Sequence, residues 1–449
     1  MIAIVGGGLA GLSAAWELQR SGVADFVLLE AGDHVGGVVH TERRDGFVLE
    51  GGPESFLARK AAATTLCREL GLEGELMAPL TTAARILHRG RLHPLPAGWR
   101  MIEPGQLRPL LRSALFSRRA KWDIVWHWRD KPQHDCGDVS VFSYLQRRYG
   151  KGAGTEIAER VAAPLLAGVF GGQAEQLSLA ALRLPVVVAV RQRAAGGEQA
   201  KSAPGPAFLT LQGGMGKLID GLEQALPAER IRKRQRVRAI HATEQNKYRL
   251  EIENSSMEAD AVILAVPAWA AAEFVGGLDS GVAELLAAIP YASSVNLNLA
   301  FAAAPPLPAG SGFLVPRGEG LRLVACTFVH QKFAGRAPSG AGLVRLFYGE
   351  GEAALDDPAL TELALRELRG IVPSQRPPAW VQITRRPRAM PQYVVGHVAR
   401  MRALREALQQ HPGLALAGNA YAGVGVPDCI ASGRAAARQV VTAAVTEAR

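Results

Sequence analysis

The sequence predicts an α/β fold in which one domain is assembled from separated stretches of chain. Three observations carry that expectation. Residues 1–30 run strand, glycine turn, helix, strand. Glycine-rich turns leading into helices return near residues 213 and 423, each beside apolar strand-like runs. Between them lie a helix-rich stretch and a strand-rich one. In order, the apolar run Ile2–Val5 reads as a buried parallel strand, and Leu9 to Arg20 as a helix with Leu12, Ala15, Trp16 and Leu18 on or near one face. Gly22 is a plausible stop, and 26–30 is a second strand ending on Glu30. Residues 104–130 read as helical, as do 139–149 and 154–163, while the Gly/Ala/Pro/Lys content of 194–206 predicts a loop. A helix at 216–226 and strands at 237–240, 248–252 and 261–266 follow. Runs at 291–301, 321–329 and 342–348 suggest an antiparallel sheet, then a helix spans 361–371 and a last one runs from about 428 to 447.

Composition narrows the class of function. The chain has 449 residues, is 48% hydrophobic and 20% charged, and holds four cysteines. That apolar fraction excludes disorder as the main state. Cys67, Cys136, Cys326 and Cys429 are too scattered for a disulfide framework or a CxxC site, so a reducing compartment is expected. No apolar run is long enough for a spanning helix, and the opening residues carry no basic stretch, so neither a membrane span nor a targeting segment is expected. The net charge is +10, and residues 85–131 hold 11 basic against 3 acidic residues. Nucleic acid, an anionic membrane or an acidic substrate would each suit such a patch.

The first chemical motif is Gly6-x-Gly8-x-x-Gly11 with Glu30 closing the next strand. A dinucleotide pyrophosphate needs a tight turn, close backbone approach and a helix N-terminus, and the later carboxylate suits ribose hydroxyls. Leu9 and Ala10 belong to the same turn. A second glycine pair, Gly36-Gly37, continues the cradle beyond what a simple NAD domain needs, and Gly51-Gly52-Pro53-Glu54-Ser55-Phe56 follows. This run resembles the cradle of FAD-dependent amine oxidase-like flavoproteins, and Gly51 to Lys60 looks specifically like the porphyrinogen oxidases of haem biosynthesis. The resemblance implies non-covalent FAD held by Gly6, Gly8, Leu9, Ala10, Gly11, Glu30, Gly36, Gly37, Gly52, Pro53, Glu54 and Ser55. It extends to Val237, whose backbone would meet the adenine, and to Gly418, Gly425 and Val426 at the flavin edge. His34 stands where the family often has Arg. Cys429 lies outside any covalent attachment motif and is expected to be a buried thiol.

On the substrate side, the run from Ala84 to Gly98 resembles the family's substrate-edge segment. Arg85 is then the expected partner of a propionate, for which a planar guanidinium is suited. Leu165 and Gly168, within Pro164 to Gly172, are expected to flank the macrocycle, and the roles of Tyr393 and His397 stay open. The resemblance implies oxidation of protoporphyrinogen IX or coproporphyrinogen III to the porphyrin, with O2 as acceptor and H2O2 as product. It also implies hand-over of product to a haem-pathway enzyme. No catalytic side chain and no metal is expected, because the flavin carries the chemistry. An amine oxidase or carotenoid-type desaturase of the same superfamily is the alternative; the former usually has Arg after the second glycine pair, where this chain has Val38, and the latter would not need Arg85. A non-redox or nucleic-acid-binding module is disfavoured, since no such motif accompanies the charge.

The expected architecture is therefore a discontinuous Rossmann-like FAD-binding domain (1–58, 208–275 and 405–449), a mixed-sheet substrate domain (59–95 and 276–404) and a helical insertion (96–207). Trp122, Trp126 and Trp128 interleave with Arg118, Arg119, Lys121 and Arg129 in that insertion. The mixture fits peripheral contact with an anionic membrane by a cytoplasmic protein; a solvated basic face over a packed Trp core fits it as well.

Overall fold

A computed structural model describes residues 1–128, 130, 137–182, 205–245, 247–373 and 376–447. Most of the predicted loop at 194–206, together with Arg129 and Cys136, lies outside these. The expected α/β architecture is present. Five parallel strands form the central sheet in the order Ile231–Arg232, Phe26–Leu29, Ile2–Val5, Ala261–Leu264, Leu414–Leu416. Strand alternation divides its core. Ile2, Ile4 and Leu28 face the helices Leu9–Arg20, Gly216–Ala225 and Val426–Glu447, whereas Ala3, Val5 and Leu29 face the other layer with Val237, Leu250, Ala271 and Leu404. The last helix crosses the first so closely that a Cβ on Gly433 would lie 2.0 Å from the Ala10 carbonyl oxygen.

A second sheet has seven strands in the order Trp380–Pro391, Tyr291–Phe301, Gly342–Tyr348, Ala325–Phe328, Gly312–Leu314, Ala84–His88, Arg91–Pro94. It is mixed: Gly312–Leu314 runs parallel to Ala84–His88 and every other pair is antiparallel. One face presents Val295, Leu297, Leu299, Val344 and Leu346 to the helix Asp357–Ile371. By alternation and register the opposite face carries Asn296, Asn298, Arg345, Gln382, Thr384 and Arg386. Asn296 and Asn298 on it are only 6% and 1% exposed, so this is a buried polar face.

Several elements differ in extent from expectation. The stretch 104–130 contains two helices, Leu107–Arg112 and Arg118–His127, because Ser117 stops the chain in an extended conformation and caps the second through the Ala120 N–H. Residues 139–163 hold one helix, Val141–Ile157, kinked at Gly150 (φ 77°) and passing through a wider turn into Ala163–Phe170. Only Ala325–Phe328 of 321–329 is strand. The helix predicted from 361 begins at Asp357, because Asp356 caps the Ala359 N–H with Pro358 in the first turn. The strand at 237 belongs to a separate antiparallel sheet of three, Val237–Ala242, Tyr248–Ile252 and Ser255–Ala259.

Candidate flavin site at the edge of the parallel sheet

The glycine turn sits at the carboxyl end of Ile2–Val5, where an open parallel sheet leaves its crevice. Gly11 must lack a side chain: a Cβ there would lie 1.9 Å from the Gly6 carbonyl oxygen. Gly8 is different. A Cβ on it would meet nothing within 4 Å, so the space above the turn is open rather than filled by protein. Gly8 also precedes the helix Leu9–Arg20 without offering any side-chain cap, which leaves first-turn N–H groups for an anion. Gly36 bridges to Gly8, its N–H donating to the Gly7 carbonyl at 2.8 Å, and Gly37 follows with φ 60°. The two glycine runs are thus one continuous cradle.

Glu30 lies just past its strand. Its two carboxylate oxygens accept the N–H groups of Gly7 and Gly32, each at 2.7 Å, which fixes the carboxylate beside the turn. The Gln235 N–H donates to the Glu30 carbonyl at 2.8 Å, bringing the segment before Val237 alongside. The Val237 side chain itself is buried in the core. His34 is largely exposed, paired to Asp33 at 2.7 Å.

Gly52 is held tightly, since a Cβ would lie 1.9 Å from the Val38 carbonyl oxygen. Pro53, Glu54 and Ser55 continue the run at half-buried positions, and Glu54 pairs with Lys332. Nearby cations hold the Glu54 carboxyl below its usual range despite burial. From the same run Lys60 reaches the Asp428 carboxylate at 2.6 and 2.7 Å. Asp428 also accepts the Gly425 N–H at 3.1 Å, at the start of the helix containing Val426. Gly418 leaves the edge strand with φ 131° and open space where a Cβ would be, its N–H donating to Ser432 Oγ at 3.0 Å. An ion pair between residues 368 positions apart therefore joins the run from Gly51 to Lys60 to the C-terminal glycine loop. Cys429 packs half-buried against the core beneath.

Tyr393 and His397, left open above, close the loop that follows. The Tyr393 hydroxyl donates to the Asn419 carbonyl at 2.6 Å and accepts the Gly423 N–H at 2.8 Å. His397 stacks on its ring at 4.1 Å, and burial lowers its pKa to about 4, with Arg400 adding to the effect and Asp138 opposing it.

On the substrate side the structure separates residues expected to act together. Leu165 and Gly168 lie on Ala163–Phe170, and a Cβ on Gly168 would lie 3.5 Å from the Leu314 side chain. Leu314 pairs with Ile86, which packs with the helices. Arg85 pairs instead with Phe313 and shares its face with Leu87, on the other side of the sheet. Its guanidinium donates to the Ala309 carbonyl at 3.3 and 3.4 Å. Arg85 therefore lies on the opposite face of the sheet from the helix that carries Leu165 and Gly168.

Two residues absent from the expectations stand behind the cradle. Arg345 Nη1 donates to the Gly52 carbonyl at 2.9 Å, and Arg386 Nε to the Gly51 carbonyl at 3.3 Å. A signal for Arg345 was available: it is the single charged residue in the apolar run Gly342–Tyr348.

The glycines with open space, the uncapped helix start and the pinned acid fit an FAD. Comparison with known proteins agrees. Residues 9–441 match the family described as flavin containing amine oxidoreductase. A coproporphyrinogen III oxidase of Bacillus subtilis (strain 168) is 30% identical over 472 aligned residues, covering 98% of both chains. One of Propionibacterium freudenreichii subsp. freudenreichii is 34% identical, covering 99% of this chain and 91% of its own. A solved structure from Exiguobacterium sp. 255-15, provisionally named a protoporphyrinogen oxidase, superposes with a TM-score of 0.85 at 32% identity and 98% coverage of each chain.

Proposed function

The chain belongs to the flavin containing amine oxidoreductase family, and from that premise we propose that it is an FAD-dependent porphyrinogen oxidase of haem biosynthesis, acting on coproporphyrinogen III. The observation that carries the substrate is the 30% and 34% identity, over nearly the whole chain, to relatives bearing that name. Bound FAD would supply hydride acceptance and reoxidation by O2, with H2O2 as product. Removing six electrons and six protons from the porphyrinogen takes three such rounds and three O2.

This chain's residues bind and orient. Gly6, Gly8 and Gly11, with the N–H groups opening Leu9–Arg20, take the pyrophosphate, and Glu30 takes a ribose. Gly418 leaves room for backbone approach to the flavin, while Gly36, Gly37, Gly52 and Gly425 allow the close packing of chain that shapes the cradle around it. The Lys60–Asp428 pair and the Tyr393 hydroxyl hold the two loops that meet there. Leu165 and Gly168 supply an apolar wall for a flat macrocycle. Purified protein with a flavin spectrum should oxidise coproporphyrinogen III with a higher kcat/KM than protoporphyrinogen IX. The reverse order would reassign the substrate, and colourless protein that takes up no FAD would overturn the assignment altogether.

Contact with an anionic bilayer is part of the proposal. Among the described residues no helix is long and apolar enough to cross a membrane. On Arg118–His127, however, Trp122 and Trp126 stand one turn apart and are 76% and 83% exposed, beside Arg118, Arg119 and Lys121. Trp128 alone packs into the helical core. Vesicles rich in anionic lipid should sediment the wild type in low salt, and W122A/W126A should stay in the supernatant. Equal binding by both would remove this surface from the proposal.

A further inference from the structure

The polar face of the seven-stranded sheet abuts the Gly51-Gly52 cradle and carries more positive charge than its own carboxylates neutralise. Four cations gather there: Lys332, Arg336, Arg345 and Arg386. Glu54 pairs with Lys332, and Glu50 lies 3.4 Å from Arg336. A third carboxylate, Glu42, accepts from Gln382 instead of a cation, which leaves Arg345 and Arg386 without a carboxylate partner. Among the described residues neither guanidinium has a carboxylate within 4.0 Å, and Glu54 and Glu50 act on Arg345 only at longer range. Arg345 is 2% exposed, its Nε has no hydrogen-bond partner, and its remaining compensation is the face of Phe347 at 4.9 Å.

Burying an unpaired guanidinium is unfavourable unless an anion balances it. The cost here falls at one place, directly behind the carbonyls of two consecutive cradle glycines. We propose that Arg345 and Arg386 are the counter-charge for the negative charge that a flavin bound over Gly51 and Gly52 gains on reduction, and that they raise its reduction potential. The proposal rests on the flavin-binding role assigned above. Hydride acceptance brings two electrons and one proton, so the reduced form carries one more negative charge than the oxidised form. Two fixed cations in a low-dielectric setting favour that form without any group having to move. A role limited to gripping the glycine carbonyls would favour both redox states equally.

The test is the midpoint potential of the FAD-loaded protein, with FAD dissociation constants and sulfite affinity, for wild type, Arg345→Gln, Arg345→Lys and Arg386→Gln. In each Gln variant the preference for reduced over oxidised flavin should fall about tenfold, a drop of about 30 mV for a two-electron couple. Sulfite, which forms an anionic adduct on flavins, should weaken in parallel, and Arg345→Lys should recover most of both. Should buried Arg345→Gln fail to fold, half-exposed Arg386→Gln carries the same measurement. Loss of FAD affinity with an unchanged potential overturns the proposal and leaves the two arginines as backbone supports. A raised KM for porphyrinogen with an unchanged potential overturns it in favour of a substrate carboxylate as the anion. Wild-type protein that binds no flavin fails at the earlier step and is recognised by its spectrum.

Discussion

Tyr393 shows how much can hang on one hydroxyl. It serves the Asn419 carbonyl and the Gly423 N–H at once, so Tyr393→Phe strips both partners inside a buried site. Leaving such groups unpaired costs about 1–3 kcal/mol. The variant should melt lower and release FAD faster, with far-ultraviolet circular dichroism unchanged; unaltered flavin retention would show that the loop is held by other contacts. The stacked His397 makes a prediction about pH. Its folded pKa of about 4 lies below the ordinary 6.5, so the unfolded chain binds more protons between these values. The contribution is fully present above about pH 6.5 and is lost as pH falls towards 4. His397→Gln should flatten the decline of Tm across that window, while an equally steep decline would assign it to other groups. Gly11 was legible from the sequence because the fold needs a residue without a Cβ there. Arg85 was not. Period-two alternation assigns a strand residue to one of two faces, and only the pairing with Phe313 and Leu314 reveals which face meets the helices.

Helices and strands explain the remaining gaps in what could be read. Periodicity found the long helices, yet it ran across Ser113 to Ser117, where a serine cap outweighs a continuing apolar pattern. It placed the helix near 361 four residues late, because Asp and Pro in a first turn do not look apolar. The packing of helix on helix was invisible, since Gly433 reads as any helical glycine. It is where Val426–Glu447 crosses Leu9–Arg20. Gly433→Val should cost about 1–3 kcal/mol by overpacking, and its effect should not stop at stability. The displaced helix carries the cradle turn at its start, so FAD content should fall as well. A variant that is less stable but fully flavin-loaded would show that the crossing and the cradle are mechanically independent.

At the scale of the molecule, the sheet that presents the cradle draws its five strands from residues near the start, the middle and the end of the chain. A chain ended at residue 411 keeps Gly6 to Gly11, Glu30 and Gly52, but lacks the edge strand Leu414–Leu416 and the helix behind it. It should hold no FAD on gel filtration despite retaining most of the binding residues; co-eluting flavin would show that residues 1–411 bind it without the last strand and helix. The architecture was readable at this scale because each returning segment has its own glycine turn. The charge surplus behind Gly51 and Gly52 was not, because its members Glu50, Glu54, Lys332, Arg336, Arg345 and Arg386 lie up to 336 positions apart and meet only once both sheets exist.

The order of the strands also sets a schedule. Ile2–Val5, the centre of the sheet, leaves the ribosome ahead of the rest of it, and its neighbour Ala261–Leu264, with Leu414–Leu416 beyond that, emerges long afterwards. Until Ala261–Leu264 is made, this earlier apolar strand waits without its lasting partner on one side. Such non-local pairing folds slowly and exposes sticky edges in the meantime. Production of this protein should therefore be limited by the wait for Ala261–Leu264, and a chaperone that shields nascent chains should raise its yield more than added flavin does.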